Sequence, residues 1–469
     1  MRSWLLALWL LLCASLTNVA AAGLANPRSM TFPPLAYTIP RSERVLLANG
    51  TPVYLLQDHE LPIVTVAAMI HTGSVYDPAK KSGLAAMTGS VMRDGGTVSL
   101  TPHQLDAELE FMASSVESSF GTDSGTVTMT TLTRNLPRTL ELFNEVLFRP
   151  RFDAQRLEVA RRQALEAIRR HNDDPKALAD RELVRAIYRG HPLGQVPTAT
   201  TIEAITRSDL IAFHQRFVRP DNLIITVSGD FDRNRMLSQL NRTIGSVHPS
   251  TPLRLPAVAQ VRTTDKAEIL YADKDINQTV IRLGHLGITK DNPDLYAVRV
   301  LDFILGGSFT SRLMMEIRTN LGLAYNVGSD FEIGRRFTGT FTAETETRAD
   351  STTRVIGLMT GIIARIRTEP VSEQELTLAK DAIINSFLFG FTTPASIVMQ
   401  QARLEFYGYA PDYLDRYRER IAAVTRADVL RVARNYLHPE AFKLVVVGDA
   451  KRFDRPLTSI GTVHELAAP

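Results

Sequence analysis

The hydrophobic pattern of the chain comes in two similar rounds. In the first, ERVLLANGTPVYLLQD sets a glycine-centred turn between two β-rich runs, and IVTVAAMI follows as a short apolar strand. Helical spacing then takes over in GLAAMTGSVM, in LPRTLELFNEVL and in DAQRLEVARRQALEAIRR, before LIITVSGD closes the round as a strand ending at Gly229-Asp230. The second round opens at AEILYADK and closes at FKLVVVGD. Strands and helices mixed in this order predict an α+β chain of two homologous domains, each a mostly antiparallel sheet covered by helices on one face.

The two rounds are copies of one another. TIEAITRSDLIAFHQRFVRPDNLIITVSGD and RIAAVTRADVLRVARNYLHPEAFKLVVVGD align without a gap at an offset of 219 residues. Ile202/Ile421, Thr206/Thr425, Arg207/Arg426, Asp209/Asp428, Pro220/Pro439 and Gly229/Gly448 are identical pairs. The same offset pairs Gln155 with Gln374, Leu157 with Leu376 and Ala160 with Ala379, so the repeat spans whole domains. It predicts a first domain over 42–245, a proline-bearing linker without period over 246–262, a second domain over 263–455 and a tail over 456–469.

Within the second round, GGSFTSRLMMEIRTNLGLAY places Phe309, Leu313, Ile317 and Leu321 four residues apart, which predicts a helix with Arg318 flanking its apolar stripe. Gly322 offers a stop. LAYNVGSDFEI then reads as a strand with Tyr325, Val327 and Ser329 on one side, so Arg318 and Tyr325 converge just beyond the helix end. From spacing alone, the ordinary reading is a surface ion pair for Arg318 and half-buried packing for Tyr325.

Composition narrows the function only by exclusion. The 53 basic and 50 acidic residues nearly balance, which gives no footprint for nucleic acid. At the start of the chain, Arg2, the apolar run from Trp4 to Leu12 and Ala20-Ala21-Ala22 form a secretory signal over 1–22, followed by an extension over 23–41. It predicts export, to the periplasm in a Gram-negative cell. The single cysteine, Cys13, lies inside that signal, so no disulfide is expected in the exported chain. No later stretch has the length of a membrane span.

The string LGGSFTSRLMMEIRTNLGLAYNVGS resembles the second-half signature of the pitrilysin and insulinase family of zinc peptidases, the inverzincins, which includes mitochondrial processing peptidase. The resemblance implies two homologous domains forming half of a clam-shell chamber. It also implies that Arg318 and Tyr325, seven residues apart as in the family, are catalytic and substrate-binding, reaching the peptide carbonyl and the oxyanion that forms on it at a zinc held by another domain.

The first-half motif is where the resemblance fails. KKSGLAAMTGSVMRDGGT lies where catalytic members carry G-L-A-H-x-x-E-H, and the three chemical positions are Ala86, Gly89 and Ser90. Two imidazoles and the water-activating carboxylate are gone. The remaining ligand position falls on Glu166 or Ala167, depending on a one-residue shift, and Glu166 equally reads as a helix carboxylate among Arg162, Arg169 and Arg170. No other histidine motif replaces the site: His464-Glu465 begins one but Ala468 ends it, and His71 and His103 only flank the degenerate helix. A serine-hydrolase elbow is missing too. The chain is therefore expected to bind no cofactor, to leave zinc to a homologous partner with an intact H-x-x-E-H, and to supply Arg318 and Tyr325 in trans for hydrolysis of a peptide or unfolded protein. The alternative is a catalytically inactive structural or peptide-binding member of the same family.

Overall fold

The computed structural model describes residues 38–249, 251–262 and 266–466. The export signal read at 1–22 lies outside the described residues. From Pro40 onward the chain forms one compact unit built on two six-stranded sheets.

The first sheet contains β1 (Glu43–Leu46), β2 (Pro52–Gln57), β3 (Ile63–Ile70), β4 (Ser115–Phe120), β5 (Gly125–Leu132) and β6 (Leu223–Gly229), in the order β1-β2-β6-β3-β5-β4. The second contains β7 (Glu268–Asp273), β8 (Gln278–Leu286), β9 (Ala324–Phe331), β10 (Thr340–Arg348), β11 (Lys443–Gly448) and β12 (Val463–Glu465), in the order β12-β7-β11-β8-β10-β9. Five strands of each follow one plan: β2/β6 and β7/β11 are parallel, and the remaining three neighbour pairs of each plan are antiparallel. The sheets differ at one edge, where β1 runs antiparallel to β2 but β12 runs parallel to β7. Residues 456–469, read from the sequence as a tail, thus contribute a strand, and the Leu466 amide extends the pairing by donating to the Tyr271 carbonyl at 2.7 Å.

The principal helices are α1 (Leu84–Asp94), α2 (Pro102–Phe111), α3 (Leu136–Phe148), α4 (Ala154–Asp173), α5 (Pro175–Ile187) and α6 (Arg207–Phe217) in the first half. In the second they are α7 (Leu295–Leu305), α8 (Thr352–Ile366), α9 (Glu373–Ser386), α10 (Pro394–Phe406) and α11 (Arg426–Tyr436). The repeat recurs in the hydrogen bonds as well as in the order. Thr206 and Asp209 form a reciprocal cap at the start of α6, and Thr425 and Asp428 form the same cap on α11. Arg207 Nε donates to the Phe152 carbonyl at 2.7 Å, and Arg426 Nε donates to the Val371 carbonyl at 2.5 Å. Those identical residues are kept because each ties a helix start to the turn before α4 or α9.

Each half's own helices cover one face of its sheet. Val64, Val66, Val127, Met129, Ile225 and Val227 form one core with them, and Ile281, Leu283, Phe341, Ala343, Leu444 and Val446 form the other. The alternate strand positions face the opposite way, and here the halves exchange elements. Val398, Ala402 and Phe406 of α10 cover Tyr54, Met69 and Ile224 of the first sheet, while Leu178, Leu183 and Ile187 of α5 cover Leu270, Val280, Val445 and Val447 of the second. Pro175 and Pro394 stand at the 219-residue offset, so the exchanged helices are themselves repeat partners. Charged ties seal both contacts: Arg44 pairs with Glu405 at 2.6 Å, and Arg282, whose side chain is 5% exposed, pairs with Asp180 at 2.6 Å.

Burial on both faces makes the two halves interdependent. Phe406→Ala and Ile187→Ala should each lower stability by about 2–5 kcal/mol, and both should shift one common unfolding transition followed by circular dichroism. Two transitions, each moved by only one variant, would contradict the exchange.

Candidate functional site: an exposed Arg-Tyr pair and a helix without metal ligands

The segment joining α7 to β9 carries the predicted pair. Of the four stripe positions Leu313 and Ile317 are buried, together with Met314, but Leu321 is 37% exposed and Phe309 precedes the helix and is 76% exposed. The stripe fails at Phe309 because the helical winding begins only at Arg312, and the winding itself is wide. Met314–Asn320 is a π-helix, and its exit is marked by Leu321 N–H donating to the Glu316 carbonyl at 3.1 Å, five residues back. The matching helix in the first half, α2, is a regular α-helix with a capping box, so the widening belongs to the second copy alone. Gly322 ends the helix with φ 61°, as its sequence position suggested.

After that stop, β9 runs along the sheet edge with a bulge against β10. Val327 pairs with Thr345, but Ala324 pairs with Thr347, which leaves one extra residue on β9. The bulge moves Tyr325 off the side it was expected to share with Val327 and Ser329: those two are buried, whereas Tyr325 is 83% exposed. The convergence with Arg318 nevertheless holds. The guanidinium carbon lies 5.1 Å from the Tyr325 ring centre and 5.9 Å from that of Phe309. Nη1 approaches Met314 Sδ at 3.8 Å. Among the described residues no carboxylate pairs with Arg318, and Tyr325 is not half-buried, so neither part of the ordinary reading applies.

The helix is anchored at its start. Arg312 makes a two-pronged bond to Glu375 on α9, at 2.7 and 3.0 Å. Burial alone would raise the Glu375 pKa, but the Arg312 and Ser372 hydrogen bonds outweigh it and hold the carboxyl down to about 2. A second carboxyl, Asp302 on the last turn of α7, accepts from Ser329 Oγ of β9 at 3.0 Å, and burial together with Asp330 pushes it up to about 7. Sequence reasoning took Phe309 for part of the buried stripe rather than of the site, and did not pick out Asp302. An exposed aromatic residue in a Gly-Gly-Ser turn was the available signal for the first; nothing in the local pattern marked the second.

On the first half, α1 presents Ala86 and Ser90 on its outer side while Gly89 is buried. The residues present do not fit a catalytic zinc. Ser90 offers only a hydroxyl, which bonds Asp94 at 3.2 Å, and Glu166 pairs with Arg170 at 3.0 Å. Position 89 has been repacked as well as substituted, since a Cβ there would lie 2.5 Å from the Phe120 amide nitrogen and 3.0 Å from the Ser119 carbonyl carbon. Any side chain at that position forces α1 away from β4. His71 stacks on Phe406 of the exchanged helix with ring centres 3.7 Å apart, and burial followed by the Arg336 charge pushes its pKa down to about 4. His103 is exposed on α2, and among the described residues no three His, Cys, Asp or Glu side chains cluster to hold a metal.

Two family descriptions match in sequence along the chain: "Insulinase (Peptidase family M16)" over residues 53–201 and "Peptidase M16 inactive domain" over 204–383. The chain belongs to the M16 family. Its relatives include an uncharacterized zinc protease of Mycobacterium tuberculosis, 26% identical over 308 residues that make up 65% of this chain and 70% of that protein. A non-peptidase homolog of Helicobacter pylori is 26% identical over 340 residues, covering 71% of this chain and 77% of that one. The crystal structure of an M16 inactive domain from Pseudomonas fluorescens superimposes with a TM-score of 0.79 at 26% identity, covering 87% of this chain and 98% of that one. The present chain is thus an M16 member whose first half lacks the metal-binding residues of the family's peptidases.

Two outcomes follow from this geometry. Metal analysis of chelator-free protein should find no stoichiometric zinc; one zinc per chain, lost when His71 or His103 is replaced, would overturn the donor-set argument. Because the Glu375 pKa is depressed on folding, its ion pair stabilises above the unfolded value of about 4.3, and that contribution fades as pH falls toward about 2. The difference in melting temperature between wild type and Glu375→Gln should be constant from pH 7 to 5 and close between pH 4 and 2. A difference independent of pH would show that the anchor is not ionic.

Proposed function

We propose that this chain is the non-metal subunit of a heterodimeric, exported zinc endopeptidase, and that it supplies Arg318 and Tyr325 in trans to a zinc site on a homologous subunit with an intact H-x-x-E-H. The observation that carries the reading is the pair itself. A guanidinium without a carboxylate partner stands between two exposed rings, at 5.1 and 5.9 Å, on a widened helix that the first half does not reproduce. The two rings, 76% and 83% exposed, are the apolar surface that a covering partner would remove from water.

The chemistry fits the developing charge of peptide hydrolysis. Arg318 offers a planar fork of N–H donors, and the Tyr325 hydroxyl adds another donor. Both strengthen their bonds as a carbonyl oxygen becomes an oxyanion. The zinc of the partner supplies the activated water; this chain binds the carbonyl and orients it. In this reading the complex acts after export, in the periplasm of a Gram-negative cell, and the N-terminal pattern of Arg2, the apolar run and Ala20-Ala21-Ala22 supports it. A second reading, a structural or peptide-binding subunit, draws on the rim of the same site, because Phe309, Met315, Leu321 and Tyr325 together expose apolar surface that a static interface would also bury.

The test is reconstitution with the homologous chain that carries the zinc motif. Arg318→Lys keeps the charge without the fork, and Tyr325→Phe keeps the ring without the hydroxyl, so each should preserve the heterodimer and lower kcat by about 10²–10³-fold. Two donors on one oxygen should combine non-additively. Parent rates in both variants would refute the catalytic reading and leave the structural one.

A further inference from the structure

In the first half, remote in sequence from the Arg-Tyr segment, a cleft of about 580 Å³ opens between the end of α3, the side of α6 and the residues Val247, Pro249 and Thr251. Its charged lining is one-sided. Arg149, Arg151, Arg207 and Arg219 border it, His214 forms part of its wall, and no aspartate or glutamate does. Two of the guanidiniums are occupied locally: Arg207 donates to the carbonyls of Phe152 and Arg151 at 2.7 and 2.8 Å, and Arg219 pairs with Asp221 at 2.8 Å. Arg149 and Arg151 have no carboxylate partner among the described residues. The other acid adjoining them in sequence, Asp153, is engaged as the cap of α4 through the amides of Gln155 and Arg156.

The backbone of the same turn is strained. Phe152, between Arg151 and Asp153, adopts φ 50°, a conformation that bulky residues avoid and that concentrates where geometry serves a ligand. The repeat provides an internal control. At the 219-residue offset, Arg149-Pro150-Arg151-Phe152 becomes Thr368-Glu369-Pro370-Val371. That turn keeps the arginine-to-carbonyl bond through Arg426 and Val371, yet Val371 is not among the described residues with positive φ. The fold therefore needs neither the paired arginines nor the left-handed residue. The first copy has added both, next to a cleft.

We propose that this cleft binds a phosphate-type dianion, with Arg149 and Arg151 as its principal ligands. Guanidinium forks match phosphate oxygens in pairs, and an anion offsets the mutual repulsion of charges gathered without acids. The chemistry is the same for a soluble phosphate ester and for a phosphate headgroup at a membrane surface.

Titration calorimetry of the full chain with inorganic pyrophosphate tests the site. One saturable site per chain is expected, weakening as salt rises, with affinity at least 10-fold lower in Arg149→Ala/Arg151→Ala and unchanged in Arg170→Ala, a charge removed elsewhere. Arg151→Lys, which keeps the charge but not the fork, should lose an intermediate amount while melting as wild type does, which guards against misfolding of the double variant. Flotation with phosphatidylcholine vesicles with and without phosphatidic acid separates the sources. Capture by the acidic vesicles alone assigns a headgroup, and pyrophosphate binding without flotation assigns a soluble ligand. Absence of a saturable site, or equal affinity in the double variant, overturns the proposal.

Discussion

The structure depends on an exchange. A six-stranded sheet with its own helices on one side still has a second apolar face, and each half solves this with a helix from the other. α5 lies on β8 and β11 of the second sheet, and α10 lies on β2 and β6 of the first. The strands record it in their composition: Val445 and Val447 face the borrowed helix while Leu444 and Val446 face the native one, so KLVVVG is apolar on both sides. The same contact takes up His71, whose stacking on Phe406 leaves a neutral ring in packing.

Much of this was legible. The 219-residue repeat gave the common plan of both halves, because residues such as Thr206, Asp209 and Arg207 perform backbone bonding that any copy must keep. That Ala86, Gly89 and Ser90 offer neither imidazole nor carboxylate was legible by residue type alone. The exchange was not, since the apolar stripe of α5 states that a face is buried without saying against which sheet. Nor was the shape of the Arg-Tyr segment. A four-residue apolar spacing fits an α-helix, and nothing in it marks the π-helical winding of Met314–Asn320. The bulge in β9 likewise escaped a two-residue period, and it alone turns Tyr325 outward.

The two halves have diverged in opposite directions from one scaffold. In the first, the helix that would carry metal ligands is drawn so close to β4 that position 89 has room for hydrogen only. In the second, a different segment, the counterpart of α2, is widened and edged with exposed rings around an arginine that lacks a carboxylate partner among the described residues. The first half closes its site by packing and the second leaves its pair uncovered; in the function proposed above, a zinc motif on another polypeptide completes that pair.

That claim can be measured where the two surfaces would meet. Met315 lies within the same π-helix as Arg318, is 39% exposed, and takes no part in the proposed chemistry, so a photo-crosslinking residue placed there reports its neighbour without disabling the pair. Irradiation in the source cells followed by mass spectrometry should join position 315 to residues flanking the H-x-x-E-H helix of a homologous chain. Crosslinks to a second copy of this chain, or to a protein without that motif, would contradict the account.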